Sequence, residues 1–393
     1  MDLTQENESV PQNDAGQTPP VSVLEMASAC GEEIQKAGQE LETLNIMVIG
    51  KSGVGKSTLI NNVFRKRIAI AGSGEPVTQT IQRHTVPGFP LQIYDTPGLE
   101  LGEEQQRRVK ADVASYIRKG AAQGFKQKIH CIWFCISSSG GRIEKEEQTW
   151  LYELTKDSSA AQVPVIVVLT KASSREETES LRAKISAMNL PVKDIVPVLA
   201  DYWKINDRQA IKPHGLRKLI SVTAQCLPET LNNTLQNVQG VSVAGKSEAA
   251  IRIVTRTSTE AFGIGFSPIP VSDAVLLVPL QIKMIAQISS VYGIDVDRSI
   301  LVPVISATVG AGGATVLGKT VVVNLIKLIP GAGTAVGGMI SGATAGALTT
   351  ALGMAYIKLM EAMLKGEVKR SDLESREGTQ IIQKLFQEAL RSG

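Results

Sequence analysis

The feature that most constrains this chain is an eight-residue loop, Gly50-Lys51-Ser52-Gly53-Val54-Gly55-Lys56-Ser57, which fits the pattern G-x-x-x-x-G-K-[ST]. A strand-like apolar run at 44–50 precedes it, and apolar residues at helical spacing follow it as far as residue 64. In that context, glycines let backbone N–H groups turn inward around phosphate oxygens. The sequence therefore predicts a phosphate-binding loop, and a purely structural glycine turn is the weaker alternative.

The loop residues have distinct expected roles. We expect the Lys56 ammonium to reach the β and γ phosphates of a nucleotide, and the Ser57 hydroxyl to bind Mg²⁺. The N-terminus of the following helix adds positive potential. The residues predicted to contact the nucleotide in this segment are Gly50, Lys51, Ser52, Gly53, Val54, Gly55, Lys56, Ser57 and Thr58.

Two further segments extend the predicted site. Asp95-Thr96-Pro97-Gly98 ends an apolar strand, where Asp95 can hold Mg²⁺ through water and the Gly98 N–H can meet the γ-phosphate. The loop at 72–85 carries threonines, one of which can close on Mg²⁺ when a triphosphate is bound. We favour Thr78, with Thr80 second. The predicted metal ligands are thus Ser57, Thr78 and Asp95, and the predicted catalytic residues are Lys56 and Thr78.

Strand and helix patterns alternate from about residue 44 to residue 227. The predicted strands are 44–50, 90–96, 128–137, 163–170 and 194–200, and the predicted helices are 57–64, 103–119, 143–156, 175–188 and 215–227. Several of these strands are apolar on both faces, as buried parallel strands are. The alternation predicts an α/β domain with a doubly wound, mostly parallel sheet.

The composition divides the chain into five parts. We predict a disordered tail at 1–22, a leading helix at 23–43, the α/β domain at 44–235, a glycine-rich apolar all-α domain at 247–360, and a polar helical tail at 361–393. A linker is predicted at 236–248. Within the apolar domain, amphipathic helices are predicted at 248–262 and 273–292.

Charge and cysteine content exclude some classes of protein. A formal net charge of +3 over 393 residues gives no basic footprint for nucleic-acid binding. The four cysteines (Cys30, Cys131, Cys135 and Cys226) have neither metal-site spacing nor the density of a disulfide scaffold, so a reducing compartment is expected. The polar N-terminus lacks the apolar segment of a secretory signal. We expect a cytoplasmic protein, with association with a membrane as the alternative.

These motifs together resemble a known family. GKSGVGKST, PVTQT, DTPG and VVLTKAS occur in the order and spacing of the Era/septin-like, ribosome-binding-type GTPases. Residues 247–360 resemble an apolar helical domain of unknown function that follows this G domain in some members. The resemblance implies a P-loop fold, GTP and GDP as ligands, Mg²⁺ as cofactor and GTP hydrolysis. We expect a switch that couples the nucleotide to the helical domain, which would engage a membrane or a second copy of the chain, with a homodimer through the G domain as one option.

The base-reading motif departs from that family. The family pattern is Asn/Thr-Lys-x-Asp, whereas this chain has Thr170, Lys171 and Ser173, with Ala200 in the last base-contacting loop. A serine cannot supply the paired carboxylate contacts that select guanine. As an alternative role, Ser173 and Glu176 can form a capping box for the next helix. Relaxed GTP/ATP specificity therefore stays open.

The residues that position water for hydrolysis also depart from the family. Leu99 follows Gly98 where Ras-like proteins place a glutamine. Gly53 stands where potassium-dependent relatives have an asparagine, and Glu100 and Arg83 are weakly supported substitutes. We expect slow intrinsic turnover that dimerisation or a partner stimulates. The alternative is a nucleotide-binding scaffold without significant hydrolysis.

The C-terminal apolar domain allows two interpretations. Residues 299–318 and 328–357 carry no charge, and Gly338, Gly342 and Gly346 repeat every four residues as a ridge of small side chains. One interpretation is a membrane-inserting hairpin around 319–327. The other is a tightly packed helical bundle.

Overall fold

The computed structural model describes most of both predicted domains. The described residues are 23–65, 75–76, 81–96, 103–122, 128–206, 208–264, 273–294, 296–297, 300–302, 304, 342–373, 380–382, 384–385 and 388. Predictions at 1–22 and around 319–327, and those for Thr78, Thr80, Gly98, Leu99, Glu100 and Gly338, lie outside them.

The strands and the helices are each numbered in chain order. The strands are β1 (Leu44–Ile49), β2 (Glu75–Pro76), β3 (Gln82–Val86), β4 (Phe89–Asp95), β5 (Cys131–Ser137), β6 (Val165–Thr170), β7 (Ile195–Pro197), β8 (Trp203–Asn206) and β9 (Gln209–Ile211). The helices are α1 (Val23–Gln39), α2 (Lys56–Val63), α3 (Glu103–Ala122), α4 (Lys145–Ala160), α5 (Arg175–Ser186), α6 (Leu216–Gln225), α7 (Glu229–Val238), α8 (Val243–Ile264), α9 (Asp273–Tyr292), α10 (Gly342–Lys365) and α11 (Arg370–Leu373).

The central sheet of the α/β domain is mostly parallel, as predicted. Among the described residues its strand order is β2-β3-β4-β1-β5-β6-β7. Strands β4, β1, β5, β6 and β7 run parallel to one another, whereas β3 is antiparallel to both β2 and β4. Val48 pairs with Asp95, and Ser137 pairs with Thr170. The carboxyl ends of these five parallel strands therefore meet at one edge, where open α/β sheets bind ligands.

Both faces of this sheet are covered by helices. β1, β5 and β6 are buried almost throughout because they are apolar on both faces. Leu59, Ile60 and Val63 of α2 pack on one face together with α6 and α7. On the other face, side chains of α3, α4 and α5 pack against the sheet. These two layers hold the carboxyl edge of the sheet, and thus the phosphate loop, in place.

A second hydrophobic core lies in the helical domain, and the leading helix belongs to it. Met26, Ala27 and Cys30 of α1 are buried against α8, α9 and α10. α1 is separated from those helices by more than two hundred residues of sequence. The leading helix therefore completes the C-terminal bundle, although it precedes the α/β domain in the chain.

α10 carries the small-residue pattern seen in the sequence. Gly346 faces the Ser258 carbonyl on α8, and a Cβ on Gly353 would lie 2.4 Å from a methyl group of Val254. Within the described residues, the helix Ala345–Lys365 is long and apolar enough to cross a membrane, and 56% of its most apolar window is buried inside the fold. The small residues here serve close packing of α10 against α8.

Two sequence predictions differ from the structure, and one hairpin was missed. The segment 82–85, predicted as loop, is strand β3, which pairs with β4 through a turn at Gly88. The linker predicted at 236–248 is mostly helix, because α7 continues to Val238 and α8 begins at Val243. The hairpin β8–β9 was not predicted. β8 alternates apolar and polar residues over only four positions and β9 has three residues, so the pattern is at the lower limit for identifying a strand.

Candidate nucleotide-binding site

The phosphate loop lies at the carboxyl end of β1 and opens helix α2. A Cβ on Gly50, whose φ is +155°, would lie 2.5 Å from the Cys135 carbonyl oxygen, so only glycine fits there. Gly55 is the N-cap of α2 and provides no side-chain cap. The first intrahelical bond runs from the Leu59 N–H to the Gly55 carbonyl at 2.9 Å. The backbone N–H groups of the first helical turn are therefore left for an anion.

The loop wraps around the Lys56 ammonium. Nζ donates to the carbonyl oxygens of Gly50 at 2.9 Å and Lys51 at 3.3 Å. Asp95 Oδ1 lies 4.0 Å from Nζ, too far for a hydrogen bond. The lysine is 9% exposed, so its charge is concentrated inside the loop. A buried cation enclosed by a glycine-rich loop is suited to bind phosphate oxygens.

The residues present fit Mg²⁺. Asp95 Oδ1 and Thr96 Oγ1 are buried and have no hydrogen-bond partner among the described residues. Burial raises the pKa of Asp95, while Lys56 and His84 act in the opposite direction. Ser57 is exposed at the start of α2. In nucleotide sites, Mg²⁺ is bound by phosphates, by water and by only one or two protein oxygens. The Asp95 carboxylate oxygen, which has no hydrogen bond among the described residues, and the exposed Ser57 hydroxyl could supply these protein oxygens.

Thr170 ties the phosphate loop to the next strands of the sheet. Its hydroxyl donates to the Val54 carbonyl at 2.7 Å and lies 3.2 Å from the Ile136 carbonyl. Ser138 donates to the Thr170 carbonyl through both its N–H and its hydroxyl. Lys171 follows with a φ of +53°, which turns the chain sharply into the base-reading segment. Thr170 therefore acts as a structural link between the phosphate loop and the base-reading residues.

The predicted capping box at Ser173 and Glu176 is wrong by one residue. The N-cap of α5 is Ser174, whose side chain accepts from the Glu177 N–H at 3.3 Å. The Ser173 N–H donates to the Lys171 carbonyl at 2.7 Å, and its hydroxyl has no hydrogen bond among the described residues. The Ser173 hydroxyl is thus left for a ligand.

His214, which sequence reasoning missed, holds together the two segments that were predicted to contact the base. Its Nε2 lies 3.0 Å from the Ala172 carbonyl, and its backbone exchanges two hydrogen bonds with Leu199. The Ala172 N–H also donates to the Val198 carbonyl at 3.2 Å. These contacts place Ala200 next to the segment that carries Ser173. No local motif marks His214, because its partners are distant in sequence.

A second missed contact joins the phosphate loop to helix α4. Lys51 Nζ forms an ion pair with Glu144, the N-cap of α4. The hydrogen bond from Lys51 lowers the pKa of Glu144. Although burial lowers the pKa of Lys51, its hydrogen bond to Glu144 and the neighbouring carboxylates raise it overall. This pair fixes the outer side of the loop to the sheet's other helix layer.

Arg83, proposed as a substitute for the catalytic glutamine, lies in β3 opposite Tyr94. Its place within a paired strand, rather than in a loop beside the phosphates, gives it no support as a water-positioning residue. Thr78, Gly98 and Glu100 lie outside the described residues, so their roles stay predictions.

The parallel sheet, the phosphate loop at its carboxyl edge and the acidic residue at the end of β4 define a P-loop GTPase domain. Residues 45–171 match the family described as 50S ribosome-binding GTPase, and residues 232–391 match a domain of unknown function, DUF697. The chain therefore carries a P-loop GTPase domain that matches this family, followed by a region that matches DUF697. This confirms the resemblance found in the sequence.

Several characterised proteins are similar to the G domain. GTPase Era of Geotalea daltonii is 26% identical over 195 residues, covering 49% of this chain and 58% of Era. Human Septin-12 is 28% identical over 193 residues, covering 42% of this chain and 52% of the septin. Translocase of chloroplast 108 of Physcomitrium patens is 35% identical over 106 residues, covering 25% of this chain and 11% of the translocase. This chain thus spans less than two thirds of each of these relatives.

Among solved structures, Cdc11 from Saccharomyces cerevisiae is 16% identical and covers 49% of this chain and 96% of its own, with a TM-score of 0.31. Toc33 from Arabidopsis thaliana, in complex with GDP and Mg²⁺, is 17% identical and covers 53% of this chain and 93% of its own, with a TM-score of 0.33. Neither likeness supports an argument about function.

Removal of the Thr170 hydroxyl is expected to weaken both stability and GDP binding. Thr170→Val keeps the shape of the side chain but leaves the Val54 carbonyl without its hydrogen bond. We expect a loss of stability of about 1–3 kcal/mol and a roughly tenfold weaker affinity for GDP, because the loop is less ordered. Thermal denaturation and GDP titration measure both effects. Thr170→Ser retains the hydroxyl and serves as the control. Wild-type GDP affinity in Thr170→Val would contradict the proposed link.

Proposed function

We propose that this protein binds GTP and GDP together with Mg²⁺ at the phosphate loop and hydrolyses GTP slowly. The observation that carries the proposal is the buried Lys56 ammonium enclosed by the loop, with Asp95 Oδ1, which has no hydrogen bond among the described residues, 4.0 Å away. Lys56 would hold the phosphates, and Ser57 and Asp95 would hold Mg²⁺. The ion would neutralise charge that develops on the phosphates.

Base selection at this site rests on Ser173. Its free hydroxyl can either donate or accept one hydrogen bond, so it can contact guanine or adenine. A carboxylate at the same place would accept two hydrogen bonds from guanine and repel the corresponding adenine acceptor. We therefore propose relaxed GTP/ATP specificity as a property of this G domain.

Competition with a fluorescent GDP analogue tests the base preference in the full chain. We expect ATP to displace the analogue at concentrations within about a hundredfold of those needed for GTP. Ser173→Asp should raise GTP over ATP selectivity about ten- to a hundredfold, the value of a charged hydrogen bond. Ser174→Asp adds the same charge one residue away and preserves the helix cap, so it should leave selectivity unchanged. Failure of ATP to displace the analogue from wild type would refute relaxed specificity.

Self-association through the G domain and engagement of a membrane stay predictions from the sequence. Of the two interpretations of the apolar domain, the described residues favour the packed bundle. α10 packs against α8 through Gly346 and Gly353, and more than half of its most apolar window is buried. A helix of that composition is also expected in the core of a bundle.

A further inference from the structure

Helix α2 extends from the phosphate loop to the helical domain. It begins at Lys56 and ends at Val63, a length of about 12 Å at 1.5 Å per residue. The residues that follow, Phe64 and Arg65, lie at the end opposite the phosphate loop. α2 contains no Gly or Pro at which it could bend. A displacement of one end of this short helix can therefore be transmitted to the other end.

The far end of α2 is bound to the end of α7. Phe64 forms an antiparallel bridge with Gln239, in which the Arg65 N–H donates to the Val238 carbonyl at 3.0 Å and the Gly240 N–H to the Val63 carbonyl at 2.9 Å. The Arg65 side chain adds two bonds to Asn237, from Nε to the carbonyl oxygen at 2.7 Å and from Nη2 to Oδ1 at 2.9 Å. Backbone and side chain together fasten α2 to α7.

The end of α7 is in turn bound to the helical domain. Asn237 Nδ2 donates to the Ser290 carbonyl near the end of α9. A Cβ on Gly293 would lie 2.9 Å from the Arg65 guanidinium, so α9 and Arg65 meet without a gap. Asn237 therefore contacts Arg65, which follows α2, with one side-chain atom and α9 with the other.

Lys246 of α8 reinforces the same place. Its ammonium donates to the carbonyl oxygens of Gln236 on α7 and of Val291 and Tyr292 on α9, the latter two at 3.3 and 3.2 Å. The lysine is 3% exposed. Burial and the nearby Arg65 guanidinium lower its pKa to about 7. The junction is thus a dense polar cluster that joins α2, α7, α8 and α9.

We propose that the helical domain regulates the nucleotide site through this cluster: Asn237 couples the position of α2, and hence of Lys56, to the end of α9. The proposal rests on the proposed function, because it needs a nucleotide at the phosphate loop. If the helical domain favours one position of α2, it changes the affinity of the site for the nucleotide. By thermodynamic linkage, the bound nucleotide then shifts the conformational equilibrium of the helical domain by the same free energy.

Hydrogen–deuterium exchange of the full chain, with and without GTP or GDP, tests the coupling. The bridge N–H groups of Arg65 and Gly240 and the amides at 288–293 report directly on the two sides of Asn237. We expect bound GTP to slow exchange at 237–241 and at 288–293 by about fivefold or more, a typical coupling between sites. GDP should have a smaller effect, because Lys56 then meets one phosphate fewer.

Asn237→Ala tests whether the Asn237 side chain couples Arg65 to the end of α9. It removes the amide that contacts Ser290 and the Oδ1 that contacts Arg65, but it leaves the backbone bridge in place. The GTP effect should persist at 237–241 and become smaller at 288–293, where Lys246 still joins Gln236 to Val291 and Tyr292, while GTP still binds. Asn233→Ala is the control, because Asn233 is on the same helix and its side chain makes no hydrogen bond among the described residues. This variant should behave as wild type.

The outcomes distinguish the two proposals. If GTP does not bind the wild-type chain, the proposed function and the coupling both fail. If GTP binds but exchange at 288–293 is unchanged, only the coupling is refuted. A smaller effect at 288–293 in Asn233→Ala as well as in Asn237→Ala would show a general weakening of α7 and would refute the role of Asn237.

Discussion

Lys56→Ala is expected to weaken GTP affinity at least about a hundredfold. The ammonium lies inside the phosphate loop, and it would make charged hydrogen bonds to two phosphate groups. Each such bond contributes roughly 1.5–3 kcal/mol, so the loss of two corresponds to about 10²–10⁴ in affinity. Titration of a fluorescent GTP analogue in the presence of Mg²⁺ measures this loss.

The same variant tests hydrolysis. Phosphate release by wild-type protein should exceed that by Lys56→Ala under matched conditions, because the lysine also stabilises charge in the transition state. Equal release from both proteins would favour the nucleotide-binding scaffold over the enzyme. Lys110→Ala is the control: it removes a lysine that pairs with Glu153 on neighbouring helices, outside the phosphate loop. Affinity of Lys56→Ala within about threefold of wild type would refute the proposed site.

Gly215→Ala is expected to be the most destabilising small substitution in the G domain. The φ of Gly215 is +84°, and a Cβ there would lie 1.9 Å from the Pro197 carbonyl oxygen. A left-handed conformation alone costs about 1–2 kcal/mol for an L-residue. The overlap is with backbone at the end of β7 and cannot be relieved by a side-chain rotation. We expect a total loss of about 4 kcal/mol or more and a fall in thermal midpoint of about 8 °C or more.

A second glycine isolates the cause of this effect. Gly88 also has a positive φ, +67°, but a Cβ there would meet no atom within 4 Å. Gly88→Ala should therefore show only the conformational cost, about 1–2 kcal/mol. Because Gly215 adjoins His214, which holds the Ala172 carbonyl, Gly215→Ala should also weaken nucleotide affinity in whatever protein folds. Equal thermal midpoints for the two variants would show that the overlap is absent.

The phosphate loop could be predicted from sequence because its chemistry is contiguous. Glycines, lysine and serine at fixed spacing define the backbone turn and the charge within eight residues. The buried parallel strands were predicted for a related reason, since strands covered on both faces are apolar throughout, as β1 and β6 are. The N-cap of α5 was predicted at Ser173, one residue before the observed N-cap, Ser174. Both Ser173 and Ser174 can cap a helix, and the choice depends on backbone dihedral angles.

The sequence by itself determined the phosphate-loop motif, the positions of the buried strands along the chain and the apolar character of the C-terminal domain, because each depends on neighbouring residues. Only the tertiary structure decided that α1 joins the C-terminal bundle, that Lys51 pairs with Glu144, and that Asn237 connects α2 to α9. Those contacts join residues about fifty to several hundred positions apart. Distant residues meet only after the chain packs, so no local spacing predicts them.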